Sequence, residues 1–195
     1  SFLNDGKEIL FRSERNGWGH YYLYDTATGN LKNQVTDGTW VAGPIAKIDT
    51  VRRKIYFYGY GREKEIDPYY YILYEAQLDR SNTLRLLTSE NASHEVSISP
   101  SCRYLVDSYS TVSQEPVNVV RNRNGKIIMT LEKPDLQPVY EMGWKAPERF
   151  KVKAADGVTD LYGVMWKPAD FDSTKVYPII SNVYPGPFFE YVPTR

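Results

Sequence analysis

Lys7-Glu8-Ile9-Leu10-Phe11, Arg53-Lys54-Ile55-Tyr56-Phe57 and Cys102-Arg103-Tyr104-Leu105-Val106 are three variants of one phrase, a polar pair leading into an aliphatic and aromatic run. Their starts, at 7, 53 and 102, lie 46 and 49 residues apart. A period of that length suits the four-stranded blade of a β-propeller. Each run follows a turn or break: Asn4-Asp5-Gly6, Asp49-Thr50-Val51 and Ser99-Pro100-Ser101.

The order inside the unit repeats as well. A second strand is expected at 21–25, 70–75 and 117–121, and a third, after a turn, at 31–35, 83–87 and 126–131. Strands leading to the next unit are expected at 40–45 and 94–98. Seventeen Tyr, four Trp and seven Phe sit in short runs between Gly, Asp and Asn, which favours strands and turns over helices. The expected class is therefore mainly β: a partial β-propeller of about three four-stranded blades. A single such sheet cannot cover both its faces, so blades stack and bury one another. Three are too few to close a ring, and the missing blades are expected upstream of Ser1. The same alternation permits a β-sandwich of about ten strands, and periodicity alone leaves that alternative open.

After Leu131 the pattern changes. Pro134 and Pro138 mark a linker, with a short helical turn expected near 139–142. Arg149–Ala154 and Leu161–Lys167 read as a hairpin around Asp156-Gly157. Val176–Tyr184 is an apolar run that reads as a strand buried on both faces, of the kind found inside an α/β sheet. The organisation expected is thus blades over 1–145 and the start of a second domain over 146–195.

Composition narrows the function. Twenty-four Lys plus Arg balance twenty-four Asp plus Glu, so no global field attracts nucleic acid. No apolar stretch approaches the ~20 residues of a membrane-spanning helix, and the first ten residues lack the features of a signal peptide. The chain opens without Met and enters a strand pattern at once, as expected of a segment of a longer protein. One cysteine, Cys102, excludes an internal disulfide and a two-cysteine metal site.

The stretch from Pro147 onward resembles a known family. Pro147-Glu148-Arg149-Phe150, Asp156-Gly157, Leu161-Tyr162-Gly163, Lys167-Pro168, Tyr177-Pro178-Ile179-Ile180 and Val183-Tyr184-Pro185-Gly186-Pro187 are similar to the dipeptidyl peptidase IV branch of the prolyl oligopeptidase family. The Tyr-x-Gly-Pro turn at 184–187 is the discriminating piece. Ser13–Asp25 and Val35–Trp40 resemble that branch's late propeller blades. The resemblance implies an α/β-hydrolase domain opening at about residue 146 and a serine exopeptidase that releases Xaa-Pro or Xaa-Ala dipeptides from peptides with a free N-terminus. It also implies a homodimeric parent, no cofactor and no metal. A bacterial, periplasmic or otherwise extracytoplasmic setting is expected, partly because an ectodomain of a eukaryotic relative would carry more cysteine. Two alternatives stand beside it: a propeller serving only as a binding or scaffold module, and an oligopeptidase or acylaminoacyl-peptidase relative.

The chemistry is incomplete in this chain. No two of the thirteen glycines lie four apart, so there is no Gly-x-Ser-x-Gly elbow, and His20 and His94 read as structural or surface residues. The resemblance gives one site residue, Tyr184, whose hydroxyl would donate to the developing oxyanion. Asp5-Gly6, Asp37-Gly38 and Asp156-Gly157 read as turns, Arg62–Glu65 as a solvated loop, and Asn91-Ala92-Ser93 as a formal glycosylation sequon.

Overall fold

A computed structural model describes residues 1–81, 83–184 and 192–195. Twelve strands form three consecutive four-stranded antiparallel sheets, each in sequence order. The first sheet holds β1 (Phe2–Leu3), β2 (Glu8–Ser13), β3 (His20–Asp25) and β4 (Leu31–Gln34). The second holds β5 (Val41–Asp49), β6 (Lys54–Tyr60), β7 (Ile72–Gln77) and β8 (Arg85–Leu86). The third holds β9 (Ser93–Ile98), β10 (Tyr104–Thr111), β11 (Gln114–Asn122) and β12 (Ile127–Glu132). The 46- and 49-residue repeat is therefore the repeat of β2, β6 and β10, the second strand of each sheet.

Each sheet meets the one before it through its own first strand. β5 packs on β3 of the sheet before it and on β9 of the sheet after it, while β7 also meets β9. This convergence of meander sheets is the architecture of a partial β-propeller, and the sandwich alternative, with two facing sheets, does not describe it.

Burial follows from the stacking. One core cluster lies between the first and second sheets and includes Leu10, Leu23, Phe57, Ile72 and Tyr74; a second joins Tyr56 and Leu73 to Leu105 and Leu87. The second sheet is thus covered on both faces. Its strands β6 and β7 are accordingly buried almost without alternation, whereas β10 alternates. Trp40, Phe57 and Tyr74 form a stacked group with centroids 5.8–6.2 Å apart, and Tyr21 meets Phe57 edge-on at 5.7 Å. Burying Tyr21 pushes its phenol pKa up to about 12, and its hydroxyl donates to the Gly43 carbonyl at 2.5 Å. The far side of the third sheet is open, with Tyr104, Val106, Met129 and Leu131 each about half exposed.

A residue with positive φ precedes the second strand in every sheet: Gly6, Arg53 and Cys102. Polar links then cross each seam. From the second sheet, Arg53 reaches Glu8 and Lys47 donates to the Ser99 carbonyl at 2.7 Å. The Tyr58 hydroxyl accepts the Val96 N–H at 2.7 Å, and Arg85 reaches Asn124 at 2.6 Å.

Beyond the sheets, α1 (Gln137–Glu141) is one short helical turn with Pro138 in its first turn. A two-stranded hairpin follows, β13 (Glu148–Lys153) with β14 (Asp160–Met165). Its turn is tied by Asp156, which accepts the Val158 and Thr159 N–H groups at 2.9 Å, with Gly157 at φ +70°.

One expectation is corrected. Val176–Tyr184 forms no strand, and Val176, Ile179 and Ile180 are 99%, 92% and 92% exposed. A strand is made by its neighbours, and among the described residues no strand pairs with this run to supply ladder hydrogen bonds.

Candidate functional site

Tyr184 ends that extended run with 60% of its surface exposed. The Pro185–Tyr191 segment, which carries the rest of the Tyr-x-Gly-Pro turn, lies outside the described residues. Upstream of it, Phe171 stacks on Tyr177 at 5.0 Å, and the Tyr177 hydroxyl accepts the Asp172 N–H at 2.9 Å. The hollow against Lys145, Glu148, Lys167 and Phe171 measures about 100 Å³. That is well below the ~300 Å³ at which small-molecule sites begin.

The hairpin carrying this run meets the connection between β6 and β7. Arg149 of β13 pairs with Asp67 at 2.7 Å, and its guanidinium carbon sits 4.6 Å from the centre of the Tyr70 ring. Tyr162 of β14 packs on Tyr69 at 5.3 Å. Asp67, Tyr69 and Tyr70 belong to the connection between β6 and β7.

The second concentration of polar side chains is buried in the third sheet. Asp107, fully buried, accepts from His94 Nδ1 at 3.0 Å and from Arg121 Nε at 2.7 Å. Arg121 continues to Glu90 at 2.7 Å and to the Gly125 carbonyl at 3.0 Å. His94 Nε2 lies 3.2 Å from the Glu90 carbonyl, and its ring packs on Tyr109.

Glu90, His94 and Asp107 lie close enough together to be weighed as metal ligands. The donor set argues against it. Arg121 already compensates both carboxylates, and both His94 nitrogens have protein partners, so a cation would meet an arginine at its own distance. The same geometry makes His94 a structural histidine. His20 is likewise enclosed, between Thr36 Oγ1 at 3.1 Å and the Gly38 carbonyl at 2.8 Å.

The loop read as solvated, 62–65, is only partly so. Glu63 accepts the Tyr74 hydroxyl at 3.1 Å and pairs with Arg62, which lies over the same ring. The sequon residue Asn91 has its Oδ1 taken by the Asp67 N–H at 2.9 Å.

Sequence reasoning missed Asp67, Asp107, Arg121 and Arg149. For two of them a signal existed. Asp107 and Arg121 fall at inward positions of β10 and β11, in step with Leu105 and Val119, and an ionisable residue at a core-facing strand position requires a partner. Arg149 and Asp67 carried no such mark, since both lie where polar residues are ordinary.

Three comparisons bear on this arrangement. The family model described as dipeptidyl peptidase IV N-terminal region matches residues 1–116. The human protein named dipeptidyl peptidase 8 is 26% identical over 229 aligned positions, covering 96% of the chain. The crystal structure of Porphyromonas gingivalis dipeptidyl peptidase 4 superposes with a TM-score of 0.68 at 22% identity, over 91% of this chain and 24% of that one. A Bacteroides ovatus protein described as a dipeptidyl aminopeptidase IV gives 0.66 at 27% identity, over 91% and 27%. The chain spans about a quarter of the length of the curated relatives it matches, 24% for the human protein.

Proposed function

The chain belongs to the dipeptidyl peptidase IV family through that family's N-terminal region, and from this premise we propose that it is part of a serine exopeptidase that releases Xaa-Pro and Xaa-Ala dipeptides from peptides with a free N-terminus. The observation that carries the reading is the match of residues 1–116 to the family, over three consecutive sheets of propeller architecture. The piece supplies no nucleophile elbow, so the chain alone is inactive and the reaction belongs to the longer protein.

In this reading residues 1–145 are blades and 146–195 open the α/β-hydrolase domain. Support comes from the exposed apolar run at 176–183, which is the composition of a central strand awaiting a sheet. Tyr184 then donates its hydroxyl to the oxyanion formed on the scissile carbonyl, a contribution of about 3 kcal/mol for one well-placed donor. Acyl transfer runs through a serine of the longer protein. The family resemblance further supplies a homodimeric parent and a bacterial setting outside the cytoplasm.

The test is turnover of a glycyl-prolyl chromogenic substrate, set beside its N-acetylated form. The longer protein cleaves the free-amine substrate and spares the blocked one, and the 195-residue chain cleaves neither. Cleavage of blocked peptides would instead assign the oligopeptidase or acylaminoacyl type, and cleavage by the isolated chain would refute the reading.

A further inference from the structure

The β13–β14 hairpin is joined to the sheets through side chains, because neither strand runs along any strand but its partner. Its own apolar residues do little of the joining: Phe150, Val152 and Leu161 are 43–50% exposed. What remains is the contact of Arg149 and Tyr162 with the β6–β7 connection.

That contact is organised in advance from the sheet side. The Asp67 N–H donates to Asn91 Oδ1 at 2.9 Å, from the link between the second and third sheets. Asp67 Oδ1 accepts the Tyr69 N–H at 2.9 Å, and the Tyr70 N–H donates to the Asp67 carbonyl at 3.0 Å. Three bonds that do not involve Arg149 thus hold Asp67 and the neighbouring Tyr70 in place. The pair is also partly withdrawn from water, with Arg149 and Asp67 side chains 20% and 16% exposed. The contact with Asp67 is one of charge, since Arg149 Nη2 makes no hydrogen bond there, and the orientation comes from the flat guanidinium lying over the Tyr70 ring, a stacking that a lysine ammonium does not reproduce.

We propose that Arg149 is a positioning residue, which fixes the hairpin and the chain that leads from it to Tyr184 against the Asp67–Tyr70 connection of the second sheet. The proposal rests on the peptidase reading above. Its mechanism is geometric: an oxyanion donor acts only if held near its productive place, and displacements of about 1 Å can cost about a hundredfold in rate.

The experiment uses the longer protein, with kcat and KM measured separately on the glycyl-prolyl substrate. Arg149→Ala is expected to lower kcat about tenfold with KM changed less than about twofold, Arg149→Lys to recover only part, and Asp67→Asn to resemble Arg149→Ala. The exchange of both charges, Arg149→Asp with Asp67→Arg, is expected to exceed either of its single substitutions in kcat. Wild-type kcat in Arg149→Ala, or an exchange no better than its singles, overturns the proposal. Should Arg149→Ala fail to fold, Arg149→Gln takes its place with the same expected outcome. A wild-type protein without activity counts against the peptidase reading instead. The junction is then read from a double-mutant cycle of Arg149 and Asp67 in urea unfolding: coupling of about fivefold or more supports it, and none overturns it.

Discussion

Arg53, held at φ +54°, sends its guanidinium across the first seam to Glu8 at 2.7 Å while its other edge takes Asp79 at 2.5 Å. Glu8 is 2% exposed, and Lys32 is its second cation. The left-handed turn places the arginine where it can serve two sheets, so one residue carries both a backbone cost and an electrostatic gain. Removing the side chain leaves a buried carboxylate with Lys32 alone. Arg53→Ala is therefore expected to lose about 2 kcal/mol or more in urea unfolding. Arg53→Gly, relieved of the left-handed strain, is expected to lose about 1 kcal/mol less than Arg53→Ala.

The same cluster sets a pH dependence. The Arg53 guanidinium holds the carboxyls of Glu8 and Asp79 below their ordinary range. A depressed folded pKa means that the stabilisation is complete above the unfolded value, about 4 for a carboxylate, and is lost as pH falls through the folded value. Stability measured from pH 7 downward is expected to decline below about pH 4.5, and Glu8→Gln to decline less over the same interval while starting lower.

Phe57 is fully buried at the centre of the aromatic group, against Tyr21, Trp40 and Tyr74. Phe57→Ala is expected to cost about 3–5 kcal/mol, from lost transfer and the cavity left behind. Val51, 89% exposed at the turn before β6, is the comparison, and Val51→Ala is expected to stay within about 0.5 kcal/mol. Equal losses would contradict the placement of the core between the first two sheets.

Gly125 and Gly61 both have positive φ, +85° and +76°. A Cβ on Gly61 would meet nothing, whereas one on Gly125 would fall on the Leu87 carbonyl across the second seam. Gly61→Ala is expected to cost about 1 kcal/mol from backbone strain alone. Gly125→Ala is expected to cost clearly more, because backbone rather than a movable side chain must give way. Thermal unfolding of the two variants side by side reads the difference.

In the longer protein, Tyr184→Phe is expected to lower kcat on a dipeptide substrate by about 10²–10³ with KM little changed, the mark of a donor used only in the transition state. Tyr104→Phe, half exposed on the third sheet, is expected to leave kcat as it was. A Tyr184→Phe enzyme of normal kcat would remove Tyr184 from the mechanism.

The strands and their pairing within each sheet were legible from the residues alone. Alternating apolar residues, glycine and aspartate turns and the spacing of three similar runs are local properties, and β2, β6, β10, their partners and the β13–β14 hairpin formed within a few residues of the expected bounds. The two-residue β1 carried too little pattern to be read. Whatever depends on a neighbour from far along the chain became visible only in the folded molecule. It showed that the sheets stack with the second covered on both faces, that Glu8 belongs to Arg53 and Asp107 to Arg121, and that the hairpin rests on Asp67. It also showed Val176–Tyr184 without a sheet, although its composition is that of a buried strand. The reason is the same in each case: a side chain's character states what surroundings it needs, and only the fold determines which residues provide them.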